Sequence, residues 1–145
     1  MLKGIDPILG PGLLAVLREM GHGDEIAIVD ANYPAASAGP LLVRMEGHDA
    51  TRVLDAILSV MPLDEFVPDP AIRMEVVGEP DRLEPVMREF DAVLATHEPD
   101  VVVASLERFA FYDRVADAYA IVSTGERRLY GNIILKKGII RPEAG

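Results

Sequence analysis

Short apolar runs rich in β-branched residues alternate along this chain with segments whose apolar residues recur at helical spacing. That alternation leaves few folds open. A strand, an amphipathic helix and another strand imply a crossover, and repeated crossovers imply an α/β domain: a mainly parallel sheet flanked by helices. Leu13, Leu14, Leu17 and Met20 mark the first helix, with Pro11 in its first turn and Gly21 at its end. EIAIVD, 25–30, reads as a buried strand and LLVRM, 41–45, as a second. Asp49 is placed to cap a helix carrying Val53, Leu54, Ile57, Leu58 and Met61 on one face. AIRMEVV, 71–77, is the next strand. Leu83, Val86, Met87, Phe90, Val93 and Leu94 follow on a helix that starts after Asp81, or after Glu84 with Pro85 as its first residue. VVVA, 101–104, is a short strand. Ser105 is a cap for a helix with Phe109, Tyr112, Ala116 and Tyr119 on one face. AIVS and LYGNIIL are strands joined through TGERR, which reads as a C-terminal hairpin.

The 145 residues suit one domain, 1–145, and half of them are hydrophobic, enough for a substantial, mostly aliphatic core. The formal net charge of -10 opposes binding to phosphate backbones or anionic membranes. The pairs at 127–128 and 136–137 are too short to form a basic patch. Nucleic acid and membrane are therefore excluded as expected partners, leaving small neutral or cationic ligands. With no cysteine there is no disulfide framework, thiolate nucleophile or cysteine metal site. Pro7, Gly10 and Pro11 break the opening segment, which makes a poor secretory signal, and no apolar run is long enough to span a membrane. The expected location is the cytoplasm.

Strand ends in α/β sheets gather ligands, so the polar residues there carry the functional reading. His22 lies between two glycines at the turn feeding the 25–30 strand, where the backbone can bend and a ligand can approach. Imidazole titrates near neutrality and can give or take a proton; a helix-end role, favoured by the dipole, is the plain structural alternative. Asp30 ends that strand and can bind hydroxyl groups, orient a histidine or cap the following loop. Arg108 sits in the first turn of its helix, where a cation meets the positive end of the dipole at a cost of a few tenths to about 1 kcal/mol. A ligand or a carboxylate partner, Glu107 or Asp113, would offset that. Tyr130 and Asn132, two apart on a strand, share a face, and Gly131 between them leaves room on the other. A phenol and an amide pointing one way suit a polyol, or simply an exposed polar face. His48 and His97 read as surface residues. Three histidines so dispersed have no metal-ligand spacing, and the glycines form no nucleotide motif.

Three long segments in order, EMGHGDEIAIVDANYP, ERFAFYDRV and TGERRLYGNIILKKG, resemble the D-ribose pyranase / L-fucose mutarotase family, and the likeness runs from MLKGIDP to KKG. The resemblance implies a compact α/β subunit assembling into rings, often of ten copies, and interconversion of sugar anomers without cofactor or metal. It implies that His22 is the acid/base histidine and that Asp30, Arg108, Tyr130, Gly131 and Asn132 contact the sugar. RFAFY with YGNIILKKG resembles the fucose-type branch, in which Arg108 stands where ribose-type members tend to carry histidine. One departure is the loop after Asp30, where Asn32 and Ala36 replace histidines found in some fucose-type members.

Opening a hemiacetal needs a proton on the ring oxygen and loss of one from the anomeric hydroxyl. One placed acid/base contributes about 10²–10⁴-fold, and His22 suits that role, with Tyr130, Asp30 or water handling the second proton. The expected substrate is thus a free monosaccharide, L-fucose first, with ribose-type pyranose/furanose interconversion as the alternative. A sugar-binding module without catalysis and a plain assembly protein are the competing readings. The apolar IILKKGII run suits packing on a neighbouring copy, and a site completed by that copy would depend on assembly.

Overall fold

The computed structural model describes residues 1–143. Six strands form one sheet: β1 (Glu25–Val29), β2 (Leu41–Met45), β3 (Ala71–Met74), β4 (Ala104–Leu106), β5 (Ala120–Thr124) and β6 (Ile133–Lys136). Their spatial order is β2-β5-β1-β6-β3-β4. β6 runs antiparallel to both its neighbours, β1 and β3, while the other pairings are parallel. The chain is therefore one α/β domain with a mostly parallel sheet, as the alternation predicts. The expected C-terminal hairpin is not formed. β1 lies between β5 and β6, so the TGERR connection crosses over a strand instead of folding back on itself. A strand buried from Ile26 to Val29, such as β1, needs a partner on each edge, and it takes both of the last two strands.

Helices α1 (Pro11–Glu19), α2 (Ala50–Leu58) and α3 (Pro85–His97) cover one face of the sheet, and α4 (Arg108–Ala116) covers the other. Alternation along the strands feeds both layers: Ile26 and Ile28 face the three-helix side, Ala27 and Val29 the α4 side. The helix starts follow capping chemistry. The Asp49 carboxylate accepts the Arg52 N–H at 2.7 Å, and α3 begins at Pro85 after Glu84.

α4 departs from expectation. Ser105 pairs with Arg73 in the β3–β4 ladder and so does not cap it. Glu107 does, accepting the Phe109 and Ala110 N–H groups at 2.9 and 3.1 Å. The buried face of α4 is Phe111 and Val115, while Phe109 and Ala116 are exposed. The true start lies two residues after that expected from Ser105, and α4 is anchored by Phe111 against the sheet. Arg114 adds an ion pair to Glu25 of β1 at 2.8 Å.

Candidate functional site

The parallel strands end together along one edge of the sheet, and β6 begins there. Asp30 follows β1, Arg108 opens the helix after β4, and Tyr130, Gly131 and Asn132 precede β6. These segments enclose a hollow of about 210 Å³ whose lining includes Asp30, Tyr33, Met74, Arg108, Tyr130 and Asn132. Strand-end position thus gathers residues from four distant parts of the sequence, as open α/β sheets do.

Tyr130 and Asn132 do not lie on the strand. β6 begins at Ile133, and Tyr130 has φ +63°, the only positive value outside glycine among the described residues. That left-handed conformation costs a tyrosine on the order of 1 kcal/mol. It turns the phenol toward the hollow, where the hydroxyl accepts the Val77 N–H at 3.2 Å. Gly131 is required here by a close approach: a Cβ would stand 2.7 Å from Glu126 Cγ. Asn132 is buried and employed internally. Its Oδ1 accepts the Asp30 N–H at 2.8 Å, and its Nδ2 donates toward Met74 Sδ at 3.8 Å. Asn132 therefore fixes Asp30 as well as lining the hollow.

The Asp30 carboxylate accepts the Asn32 N–H at 2.9 Å. Burial pushes its pKa above the usual aspartate range despite the hydrogen bonds that work against the shift. Burial likewise raises that of the nearby Tyr33 phenol. Arg108 resolves the dipole conflict in two ways. The Glu107 carboxylate occupies the helix start, and the guanidinium turns to Tyr112, donating from Nε to its hydroxyl at 3.1 Å. It also lies over the Phe109 and Tyr112 rings at 5.4 and 5.3 Å. Tyr112 packs edge-on against Tyr33 with centroids 5.1 Å apart. The result is a cation held at the rim by aromatic rings, with a carboxylate at the floor.

His22 is elsewhere. It precedes β1 whereas Asp30 follows it, so the two stand at opposite ends of a five-residue strand, roughly 17 Å of extended chain. The sequence expectation that this strand brings both to one edge is corrected by the direction of the chain. Gly23, at φ +89°, makes the turn, and its N–H donates to Lys137 O at 2.8 Å. At this edge the His22 Nε2 lies 3.0 Å from Asp64 Oδ1, and the ring meets Phe66 with centroids 5.4 Å apart. Asp64 is 5% exposed and also accepts the Phe66 N–H at 3.0 Å. The His22 hydrogen bond holds its carboxyl below the usual range. An ionised carboxylate only accepts, so the imidazole donates through Nε2–H, and Nδ1 is the ring nitrogen left for proton exchange.

Asp64 was not singled out in the sequence. It sits in PLDEF, a connection without periodicity, and meets His22 only because Leu63 bridges to Lys137 beyond β6. A larger cleft of about 640 Å³ near this edge, lined by Ile5, Leu17, Met61 and Ile140 among others, is mainly apolar. Its Lys137 ammonium is already bonded to the Leu17 and Met20 carbonyls at the end of α1. Among the described residues no three His, Asp or Glu side chains gather to hold a metal, and no helix is long and apolar enough to cross a membrane.

A strand-end hollow with a carboxylate, a guanidinium, a phenol and an amide has the groups to hydrogen-bond a small polyhydroxylated ligand. Residues 3–140 match the model of the RbsD / FucU transport protein family, and the chain belongs to that family. It is 43% identical to the fucose mutarotase of Mus musculus over 145 residues, covering 96% of this chain and 95% of the mouse protein. Its fold is similar to that of the Streptococcus pneumoniae fucose mutarotase in complex with L-fucose, with a TM-score of 0.91, 44% identity and coverage of 97% and 100%. Bacillus subtilis RbsD complexed with D-ribose shares the fold at a TM-score of 0.73 and 21% identity, over 97% of this chain and all of that one.

Proposed function

We propose that this protein interconverts the α and β anomers of a free monosaccharide, L-fucose in particular, by acid/base ring opening and closure. The observation that carries this reading is the convergence of Asp30, Arg108, Tyr130 and Asn132 on one hollow, in a chain whose relatives include fucose mutarotases. Asp30 and Arg108 hold sugar hydroxyls, the Gly131 backbone lets the ring approach, and Asn132 steadies Asp30. The Tyr130 hydroxyl, at the wall of the hollow, is suited to relay a proton or to orient the anomeric oxygen.

The imidazole that protonates the ring oxygen comes from a second copy. Within one subunit His22 is on the wrong edge of the sheet, so the complete site combines the Asp30 hollow of one copy with the His22–Asp64 pair of the next. Apolar side chains stand ready at both edges: Phe66, Ile139 and Ile140 beside His22, and Val77, Phe109 and Leu129 around the hollow. Two different surfaces meeting head to tail give a ring where the rotation closes, and rings, often of ten copies, are what the family resemblance implies. Asp64 keeps Nε2 occupied, directs Nδ1 toward the sugar and stabilises the imidazolium that forms. Once open, the aldehyde turns about one bond and closes on its other face, with the same groups working in reverse.

The test is magnetisation-exchange NMR on L-fucose, D-ribose, D-galactose and L-rhamnose with catalytic amounts of protein. The reading expects anomer exchange to accelerate most for L-fucose. Fastest turnover of ribose would favour pyranose/furanose interconversion. Tight binding without faster exchange would make the protein a sugar-binding module, and no effect on any aldose would remove the proposal.

A further inference from the structure

Glu126 is a buried carboxylate that the sugar chemistry does not use. It is 3% exposed and lies behind the hollow, in the crossover from β5 to β6. Its neighbours belong to both halves of that hollow. The Glu126 carbonyl accepts the Ala31 N–H at 2.9 Å, one residue beyond Asp30. Its Cγ packs where a side chain on Gly131 would have to go, one residue beyond Tyr130. The Glu126 N–H donates to Thr124 Oγ1 at 3.2 Å, and that hydroxyl donates to Val29 O at 2.7 Å, at the last residue of β1. The carboxylate itself is met by Arg128, whose Nε donates to Oε1 at 2.7 Å. Arg128 continues outward to Glu89 on α3, which also accepts from Thr51 of α2 at 3.2 Å.

The chain of contacts thus runs from two helices of the large layer, through Arg128 and Glu126, to the loop that presents Tyr130 in its left-handed conformation. A strained residue persists only where its surroundings over-determine it. Within RRLYGN, Leu129 is exposed and Gly131 is the most permissive residue available, so the segment is held from outside itself: Asn132 by the Asp30 N–H, the Tyr130 hydroxyl by the Val77 N–H, and Arg128 by Glu126 and Glu89. A buried carboxylate left without its cation would be costly, so Arg128 and Glu126 are bound to each other's position.

We propose that Glu126, clamped by Arg128, is a positioning residue that sets the Tyr130 phenol in the sugar site. Its catalytic consequence rests on the mutarotase reading, but its structural consequence does not, and two readouts separate them. The first is fluorine NMR of protein labelled with 3-fluorotyrosine, with the Tyr130 line assigned by Tyr130→Phe. In Glu126→Leu and in Arg128→Met, the Tyr130 line shifts or broadens while the lines of Tyr33, Tyr112 and Tyr119 hold. In Glu126→Gln, which keeps an acceptor for Arg128, the Tyr130 line stays near its original place. The second readout is anomer exchange. Arg128→Met lowers kcat on the order of 10–100-fold, the effect of a reacting group displaced by about 1 Å, with KM changed by less than about two-fold. In a Tyr130→Phe background the same substitution costs no more than about two-fold further. An equal loss in both backgrounds, or an unmoved Tyr130 line in Arg128→Met, would overturn the proposal. Arg128 is half-buried at the surface, so its variant tests the idea even if Glu126→Leu does not fold. Should the unmodified protein accelerate no sugar, the mutarotase reading fails and the fluorine spectra alone decide the role of Glu126.

Discussion

His22 Nε2 and Asp64 Oδ1 stand 3.0 Å apart although 42 residues separate them in sequence, and the pair lies at the sheet edge opposite Asp30. His22→Ala should slow anomer exchange by about 10²–10⁴-fold, the contribution of one acid/base group. The ring is 43% exposed on a turn, so the fold should survive, with a modest fall in melting temperature at neutral pH because the buried Asp64 carboxylate loses its partner. The Asp64 carboxyl, which the imidazole holds low, should titrate at higher pH in that variant, as read by carbon-13 NMR. Asp64→Asn offers an NH₂ that competes for Nε2, and kcat should fall at least about ten-fold. Full activity in His22→Ala would take the imidazole out of the reaction.

Complementation tests the shared site. His22→Ala subunits keep a sound hollow, and Asp30→Asn subunits keep a sound imidazole. Alone, His22→Ala should lose about 10²–10⁴-fold and Asp30→Asn about 10–100-fold. Co-expressed in equal amounts, they should recover roughly one quarter of the original activity, since a working junction takes its hollow from one variant and its histidine from the other. No recovery in assemblies proven to be mixed would place all the chemistry inside single copies.

Asp30→Asn should separate function from stability. Loss of a charge-assisted hydrogen bond to a sugar hydroxyl, about 1.5–3 kcal/mol, predicts a 10–100-fold fall in kcat/KM. Stability should move the other way. Burial raises the folded-state pKa of Asp30, so the ionised side chain destabilises the fold at neutral pH. That penalty develops as pH rises from the unfolded value toward the raised folded one. Asp30→Asn should therefore melt higher than the parent at pH 7, and the gain should shrink below pH about 4. Calorimetry at several pH values checks the sign.

Gly131→Ala should damage both properties. The new methyl meets Glu126 Cγ at 2.7 Å, an overpacking that costs about 1–3 kcal/mol. Relief requires the Tyr130–Asn132 loop to shift, so exchange activity should drop by more than the loss of folded protein explains, as activity per folded molecule will report.

Periodicity carried most of the fold. The α1, α2 and α3 faces, the Asp49 cap, Pro85 after Glu84 and the extent of β1 are local properties of short windows, and short windows show them. The partner of β6 is not local. The TGERR loop has hairpin-like composition, but β1 needed both edges filled, and that demand arises a hundred residues earlier. The Ser105 cap failed for a related reason, because pairing with Arg73 draws Ser105 into the sheet. At the site, Asp30 at a strand end, Arg108 in a first helical turn and the Tyr130–Asn132 pair were legible as polar groups, and these four do share one hollow, with Gly131 between the last two. The two-residue alternation assumed for Tyr130 and Asn132 was not what aligned them; a left-handed turn did. The side chain of Asp64 gave no signal, since its significance lies wholly in a neighbour reached through the Leu63–Lys137 bridge.

The polarity of β1, with an imidazole before it and a carboxylate after it, bears on how many copies work. A linear row of subunits joined end to end would always leave one unmatched hollow at its head and one unmatched histidine at its tail. Joining those ends into a circle removes both idle halves at once. Selection for sugar turnover would thereby also select for the angle at which the circle shuts.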